Sequence, residues 1–307
     1  MAADAGALEA GPPLRRARLR FSGYLWRRPW LKALGLLSLP LAVFLLVYIG
    51  ALSILFVSSF WTVNSFTAAI EHTWTLANYR LIFSSGQPYL HIAALTLEMA
   101  AAVTLTDAVL AFPLAYFMAR LASGRTRAIL FVMVLLPLWS SYLVRVYAWQ
   151  TMLAHDGAIN WWLNKLGLPD QNLAYTNWAM WIVFTYVWLP FMVLPVYAAL
   201  ERIPDSYLEA SADLGARGFK TLRSVILPLA LPGLVAGSIF TFALTLGDYI
   251  TPLLVGGPSS QFIGNVVYDF VGINANVPFA AAFATIPLLI MGAYLLIARS
   301  LGAFEAL

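Results

Sequence analysis

Six apolar runs, each long enough to cross a bilayer, leave this chain few other ways to fold. They cover approximately residues 33–60, 91–119, 128–149, 178–200, 228–249 and 279–299. A hydrocarbon core of about 30 Å requires about 20 apolar residues at a helical rise of 1.5 Å. The charge content agrees, since 10% of the residues are charged against about 25% in an ordinary soluble domain. The expected fold class is an all-α membrane protein with six transmembrane helices. Residues 1–32 read as a basic tail leading into an interfacial segment at Phe21 to Trp30, and residues 33–307 as a six-span domain. The first apolar run, Ala33 to Phe60, is far longer than the roughly 7–15 residues of a signal-peptide core, so it stays as a span.

Lysine and arginine placement orients the spans. With the N-terminus inside, fifteen of the eighteen basic residues fall on the cytoplasmic side: seven in the tail, then Arg120, Arg125, Arg127, Arg202, Arg217, Lys220, Arg223 and Arg299. Arg80, Lys165 and Arg145 remain outside. This bias predicts that both termini and the 201–228 loop are cytoplasmic. The formal net charge of +4 follows from this placement, and no nucleic-acid partner is expected. The outer loops, 61–90 and 150–177, nearly lack cations; Trp61, Trp74, Trp161 and Trp162 in them suit an aromatic belt at the interface or a docking surface.

Pro113, Pro137, Pro190, Pro195, Pro232 and Pro287 fall inside apolar runs, where each removes a backbone hydrogen bond. Such breaks are tolerated at membrane depth where the freed carbonyls meet protein or a water-filled cavity. Gly233 and Gly237 form a small-xxx-small pair, readable as intrachain packing or as a subunit interface.

Enzyme signatures are missing. The chain contains no GxxxxGK[ST] loop and so is not expected to bind ATP in that manner. It has no cysteine, and His72, His91 and His155 show no metal-ligand spacing; no cofactor or metal is expected on this chain. Ionisable residues inside spans are better leads, because charge in hydrocarbon is costly and faces the bundle interior or a cavity. Glu98 and Asp107 are nine positions apart, about 180° around a helix, so at most one lines a path. Arg145 and Asp248 lie at similar depth and read either as a structural ion pair or as gate residues.

The longest polar interval in the second half, Pro204 to Pro228, reads PDSYLEASADLGARGFKTLRSVILP and predicts a short helix, a turn and a second helix. Ser206 and Glu209 have capping-box spacing, and Gly215 stands where a helix C-terminus turns left-handed. Tyr207, Ala210, Ser211 and Leu214 form a small apolar stripe. A helix of eight or so residues is too short to persist alone, below the roughly 12–15 required in water, so another protein is its expected packing partner.

Glu209-Ala210-Ser211, three residues, Gly215, nine residues, then Val225-x-Leu227-Pro228 resembles the EAA motif of binding-protein-dependent ABC importer permeases. Ser211 and Val225 replace the motif's second alanine and its isoleucine. The resemblance implies a type I ABC importer permease fold, with Glu209, Ala210, Ser211 and Gly215 coupling to a cytoplasmic ATPase subunit. Further segments are similar to the spermidine/putrescine branch of the family: LANYRLIF at 76–83, LPLWSSYLVRVYAWQTML at 136–153, LPFMVLPVY at 189–197, LGDYITPLLVGG at 246–257 and IGNVV at 263–267. This likeness implies Trp139, Tyr142, Arg145, Asp248, Tyr249 and Asn265 as cavity or gate positions. It also implies two ATPase subunits that hold ATP and magnesium, a second permease that is a paralogue, a periplasmic binding protein, and an inner-membrane location. The substrate so implied is a polyamine or related small cationic amine. Alternatives are an opine or amino-acid-like solute, and a stand-alone carrier using Glu98 or Asp107 for proton coupling.

Overall fold

In the computed structural model, residues 29–300 are described with the exception of Ser65, and for Pro29, Leu31 and Lys32 the backbone alone. The expected tail, and the interfacial segment up to residue 28, lie outside the described residues. The chain divides into two compact units, Met1–Val57 and Ser58–Leu307.

The first unit carries helix α1 (Ala33–Ser58), whose turns run back to Pro29 and include a π-helical stretch at Phe44–Ile49. The second begins with a short antiparallel hairpin, β1 (Thr62–Val63) on β2 (Ile70–Glu71), and helix α2 (Ala77–Ile82). Asn78 on α2 is buried and donates to the carbonyls of Ser59 and Trp61 at 2.9 and 2.8 Å, tying the hairpin to α2. Long helices follow: α3 (Tyr89–Leu121), α7 (Asn177–Glu201), α9 (Gly218–Gly247) and α12 (Val277–Ser300). With α1 these make five helices long and apolar enough to cross a membrane, and a bent pair supplies the sixth segment.

That bent pair corrects the expected third span. Helices α4 (Gly124–Trp139) and α5 (Tyr142–Leu153), the latter followed by α6 (Ala158–Lys165), meet at 95°. Pro137 sits in a 3-10 turn, and Ser140 and Ser141 are extended, with ψ of 152° and 134°. Ser140 returns both its N–H and its hydroxyl to the Pro137 carbonyl, at 3.2 and 2.8 Å. The turn thus consumes its own polar groups, as a break at membrane depth must. The other intraspan prolines lie within helices that run on through them. The fifth span is Gly218–Gly247 rather than 228–249, because the second helix of the polar interval continues into it through a π-helical turn at Leu222–Ile226.

Helices α3, α7 and α9 form the centre of the second unit. In lipid, exposed apolar side chains lose nothing, so close packing has to join the helices. The two glycines provide it: a Cβ on Gly233 would stand 2.4 Å from the Ala199 Cβ, and one on Gly237 2.7 Å from the Met192 Sδ. They seat α9 directly on α7, which settles the small-xxx-small pair as intrachain packing. Met99, Val103, Met180, Val183, Phe184 and Phe262 fill one part of the core, and Ala111, Ala115, Met118, Met192, Val196 and Leu200 a second. Tyr294 of α12 stacks on Phe242 at 4.4 Å and donates to the Ser238 hydroxyl at 2.7 Å.

Candidate functional site

The polar interval folds as a short helix, α8 (Asp205–Asp213), a turn, and the start of α9. The capping box expected of Ser206 and Glu209 does not form. Pro204 is the N-cap, with φ −65° and ψ 142°, no side chain caps the helix, and Ser206 lies inside the first turn. Proline fixes its own φ and has no N–H to satisfy, so the chain enters the helix earlier than the S-x-x-E spacing indicates. The far end follows expectation. Gly215 has φ +76°, its N–H reaches the Ala212 carbonyl at 2.8 Å, and Ala216 N–H reaches the Ser211 carbonyl at 3.0 Å. Together these are the two bonds of a Schellman motif.

The expected stripe on α8 divides. Ser211 turns inward, 8% exposed, and its hydroxyl meets that of Thr221 at 3.0 Å. Tyr207, Glu209, Ala210 and Leu214 face outward, and Leu214 is 86% exposed. Tyr207, Ala210 and Leu214 border an open recess of about 420 Å³ completed by Ala216, Lys220, Ser224 and Val225. A small-residue floor with an apolar rim is a surface into which another protein's side chains can pack.

Sequence reasoning counted Arg120 and Arg127 only as topological charges; the structure gives both a task. At the end of α3, Arg120 Nη1 binds Asp205 Oδ1 at 2.8 Å, while Nη2 donates to the carbonyls of Leu200, at 2.7 Å, and Ile203. Arg127 donates to the Met118 carbonyl at 3.0 Å and the Ala119 carbonyl at 3.2 Å, and lies 3.6 Å from Glu201. Helix C-termini leave carbonyls unpaired, and arginine forks are suited to them. The partners of Arg120 lie about eighty positions away in the chain, so no local pattern announces them.

A second cluster forms where α9 ends. Asp248 is the C-cap of α9, with ψ 138°, and the chain turns there into α10 (Ile250–Val255). Its carboxylate, 8% exposed, accepts from the Tyr142 hydroxyl, from Thr251 Oγ1 at 3.0 Å and from Ile250 N–H at 2.8 Å. Helix α11 (Ile263–Gly272) approaches at Gly264, where a Cβ would lie 2.7 Å from the Asp248 carbonyl. Tyr142, Trp188, Ala243, Leu244, Gly247, Asp248 and Tyr249 line a recess of about 250 Å³, with Tyr142 stacked on Trp188 at 5.5 Å and Tyr249 on Tyr268 at 5.0 Å.

The structure brings three of the expected pathway residues, Tyr142, Asp248 and Tyr249, to this recess, and adds Trp188. Asn265 is buried behind it, donating to the Tyr249 carbonyl at 2.9 Å. Trp139 is 87% exposed and does not line the recess. Of the two readings of Arg145 and Asp248, the ion pair is absent among the described residues. Arg145 instead lies over the Tyr142 ring at 5.9 Å, and its Nε and Nη1 are buried without a hydrogen-bond partner. Neutral donors already occupy Asp248, so Tyr142 stands where a pair would need contact. Asp107 is fully buried with neither oxygen hydrogen-bonded, whereas Glu98 is exposed, as two opposite helix faces require.

Broken and continuous apolar spans, with a capped helix in the loop between two of them, are the architecture of an integral-membrane permease. Residues 111–303 match the family described as binding-protein-dependent transport system inner membrane component, and the chain belongs to that family. It is 46% identical over 308 residues to the inner membrane ABC transporter permease protein YdcU of Escherichia coli (strain K12), covering 96% of this chain and 97% of that one. The spermidine/putrescine transport system permease protein PotB of the same organism is 33% identical over 231 residues, 74% of this chain and 82% of that protein. Among solved structures, a bacterial alginate ABC transporter in complex with an alginate pentasaccharide-bound periplasmic protein gives a TM-score of 0.72 at 17% identity, over 91% of this chain and 96% of that one. The MetNI methionine ABC transporter gives 0.51 at 22% identity, over 70% and 99%. The protein is thus an ABC importer permease subunit of the inner membrane, with the type I permease fold, and the stand-alone carrier alternative falls.

Proposed function

We propose that this permease passes a polyamine, or a related small cationic amine, into the cytoplasm. The observation that carries the reading is Asp248, an acidic group with no cation paired to it among the described residues, placed in a recess walled by Tyr142, Trp188 and Tyr249. An amine leaving water needs its hydration replaced, and a carboxylate with aromatic faces at cation–π distance does that. Relatives named for spermidine and putrescine support the same chemistry. In this reading both termini and the 201–228 loop are cytoplasmic. Two ATPase subunits hold ATP and magnesium, and one of them docks on this loop at Glu209, Ala210, Ser211 and Gly215. A paralogous permease completes the membrane pair, a periplasmic binding protein delivers substrate at the opposite end, and lipid surrounds the spans.

The decisive experiment reconstitutes the permease with its ATPase, its paired permease and its binding protein in liposomes. Labelled putrescine and spermidine should be taken up saturably in the presence of ATP, and Asp248→Asn should lower that uptake about tenfold, as loss of one charge-assisted contact implies. Failure of either amine to bind the binding protein or to be taken up would sink the assignment. Arg145 favours a second reading, an opine or amino-acid-like solute: the unmatched donors Nε and Nη1 lie on the Tyr142 ring beside the recess. Uptake of such a zwitterion, lost in Arg145→Gln, would establish it.

A further inference from the structure

We infer that Arg120 is the positioning residue that fixes the angle of the coupling helix, so that movement of α8 is passed to α3 and α7 together. The inference rests on the coupling role proposed above for α8. Between the end of α7 at Glu201 and the start of α8 at Asp205 the chain crosses only Arg202, Ile203 and Pro204. Such a short link has rotatable backbone at Arg202 and Ile203, and by itself leaves α8 free to swing about the end of α7.

The Ser211–Thr221 hydroxyl contact ties α8 to the start of α9, and one guanidinium ties it to α3 and α7. Arg120 Nη2 holds the Leu200 and Ile203 carbonyls, before the bend, and Nη1 holds Asp205 Oδ1, after it. Because the guanidinium is planar and its donors are fixed in a fork, gripping both sides of the bend sets the bend. Arg120 itself stands in the π-helical last turn of α3, Phe117–Leu121. That turn is held in its place by Arg127, whose donors cap Met118 and Ala119. The Arg120 side chain is 11% exposed, while that of Asp205 is 81% exposed. The Ile203 carbonyl belongs to the peptide that leads into Pro204, whose ring fixes its own φ, and the Asp205 ion pair, weakened by solvent, is the one contact of Arg120 beyond it.

A force applied to α8 by an ATPase subunit is then passed across the Ile203–Pro204 bend through the guanidinium. It is delivered to the ends of α3 and α7, which carry the central packing of the unit. Lysine at 120 keeps the charge but presents a single ammonium point and no fork, so it should not restore the geometry.

The test measures ATP hydrolysed per substrate molecule imported by the complete reconstituted complex, for wild type, Arg120→Gln, Arg120→Lys, Asp205→Asn and Gly215→Val. A residue needed only for folding would change the amount of assembled complex and leave this ratio alone. The inference expects the ratio to rise about tenfold in Arg120→Gln, the loss of charge-assisted hydrogen bonds to buried carbonyls, and by a smaller factor in Arg120→Lys. Asp205→Asn, which removes the one charge that Arg120 holds beyond the bend, should also raise it. If Arg120→Gln does not assemble, Arg120→Lys decides. Wild-type ratios in the Arg120 variants, with uncoupling in Gly215→Val, would overturn the clamp and leave the coupling helix standing. Wild-type ratios in Gly215→Val as well would remove the coupling reading and the clamp with it.

Discussion

Tyr142 donates its hydroxyl to the Asp248 carboxylate across 106 positions of sequence, while the guanidinium of Arg145, one helical turn on, lies against the same tyrosine ring. The tyrosine therefore separates the two charges that sequence depth placed side by side. It also closes one wall of the recess and locks the break after α9 to the break before α5. Loss of the hydroxyl alone is thus informative.

Tyr142→Phe should keep the stacking on Trp188 but leave Asp248 with two donors instead of three. Removing one hydrogen bond to a charged group costs about 1.5–3 kcal/mol. We expect amine uptake to fall with the assembled complex still recoverable. Combining Asp248→Asn with Arg145→Gln should not rescue transport, since the two residues are not an ion pair; recovery in the double variant would contradict the arrangement. Uptake assays on wild type, Tyr142→Phe, the two single variants and the double variant give the answer.

Gly264→Ala should destabilise the permease, because the added methyl would lie 2.7 Å from the Asp248 carbonyl and 3.0 Å from the Tyr249 Cβ. Overpacking of this kind costs about 1–3 kcal/mol. Gly272→Ala, at the other end of α11 with nothing within 4 Å of a Cβ, should be neutral or slightly stabilising. Thermal denaturation of the two variants in detergent compares them directly, and equal midpoints would speak against the close approach.

Gly215→Val should damage transport without preventing membrane insertion. At φ +76° a β-branched residue costs at least the roughly 1–2 kcal/mol of the left-handed conformation, and the Schellman bonds to Ser211 and Ala212 loosen. Stimulation of the ATPase by loaded binding protein should drop while the protein is still recovered from membranes. Unchanged stimulation would refute a role for the cap.

The absence of native cysteine makes the proposed orientation easy to examine. A single cysteine at Arg217 should be shielded from an impermeant thiol reagent in intact cells, and one at Leu168, half exposed, should react. Labelling of position 217 from outside would invert the topology and with it the location of α8.

Much was legible in the sequence because it rests on local physics. Apolar runs the length of a bilayer specify helices whatever their neighbours do, and Gly215 announces a left-handed cap because few other residues adopt one cheaply. The family motif in the 201–228 interval was readable for the same reason, its spacing running through one short helix, its Gly215 exit and the start of the helix that follows. Tertiary structure decided what distant groups do to one another. Pro204 displaced the capping box of Ser206 and Glu209, and the Pro137 to Ser141 turn bent a run that composition alone presents as one span. Arg145 lost Asp248 to Tyr142, Thr251 and a backbone N–H, and Arg120 gained two carbonyls and a carboxylate from a segment about eighty residues away. A polar side chain in a low-dielectric interior takes whichever partners the packed helices bring within reach. Helix packing sets that reach, so periodicity and spacing identified these residues as candidates while the fold alone chose their partners.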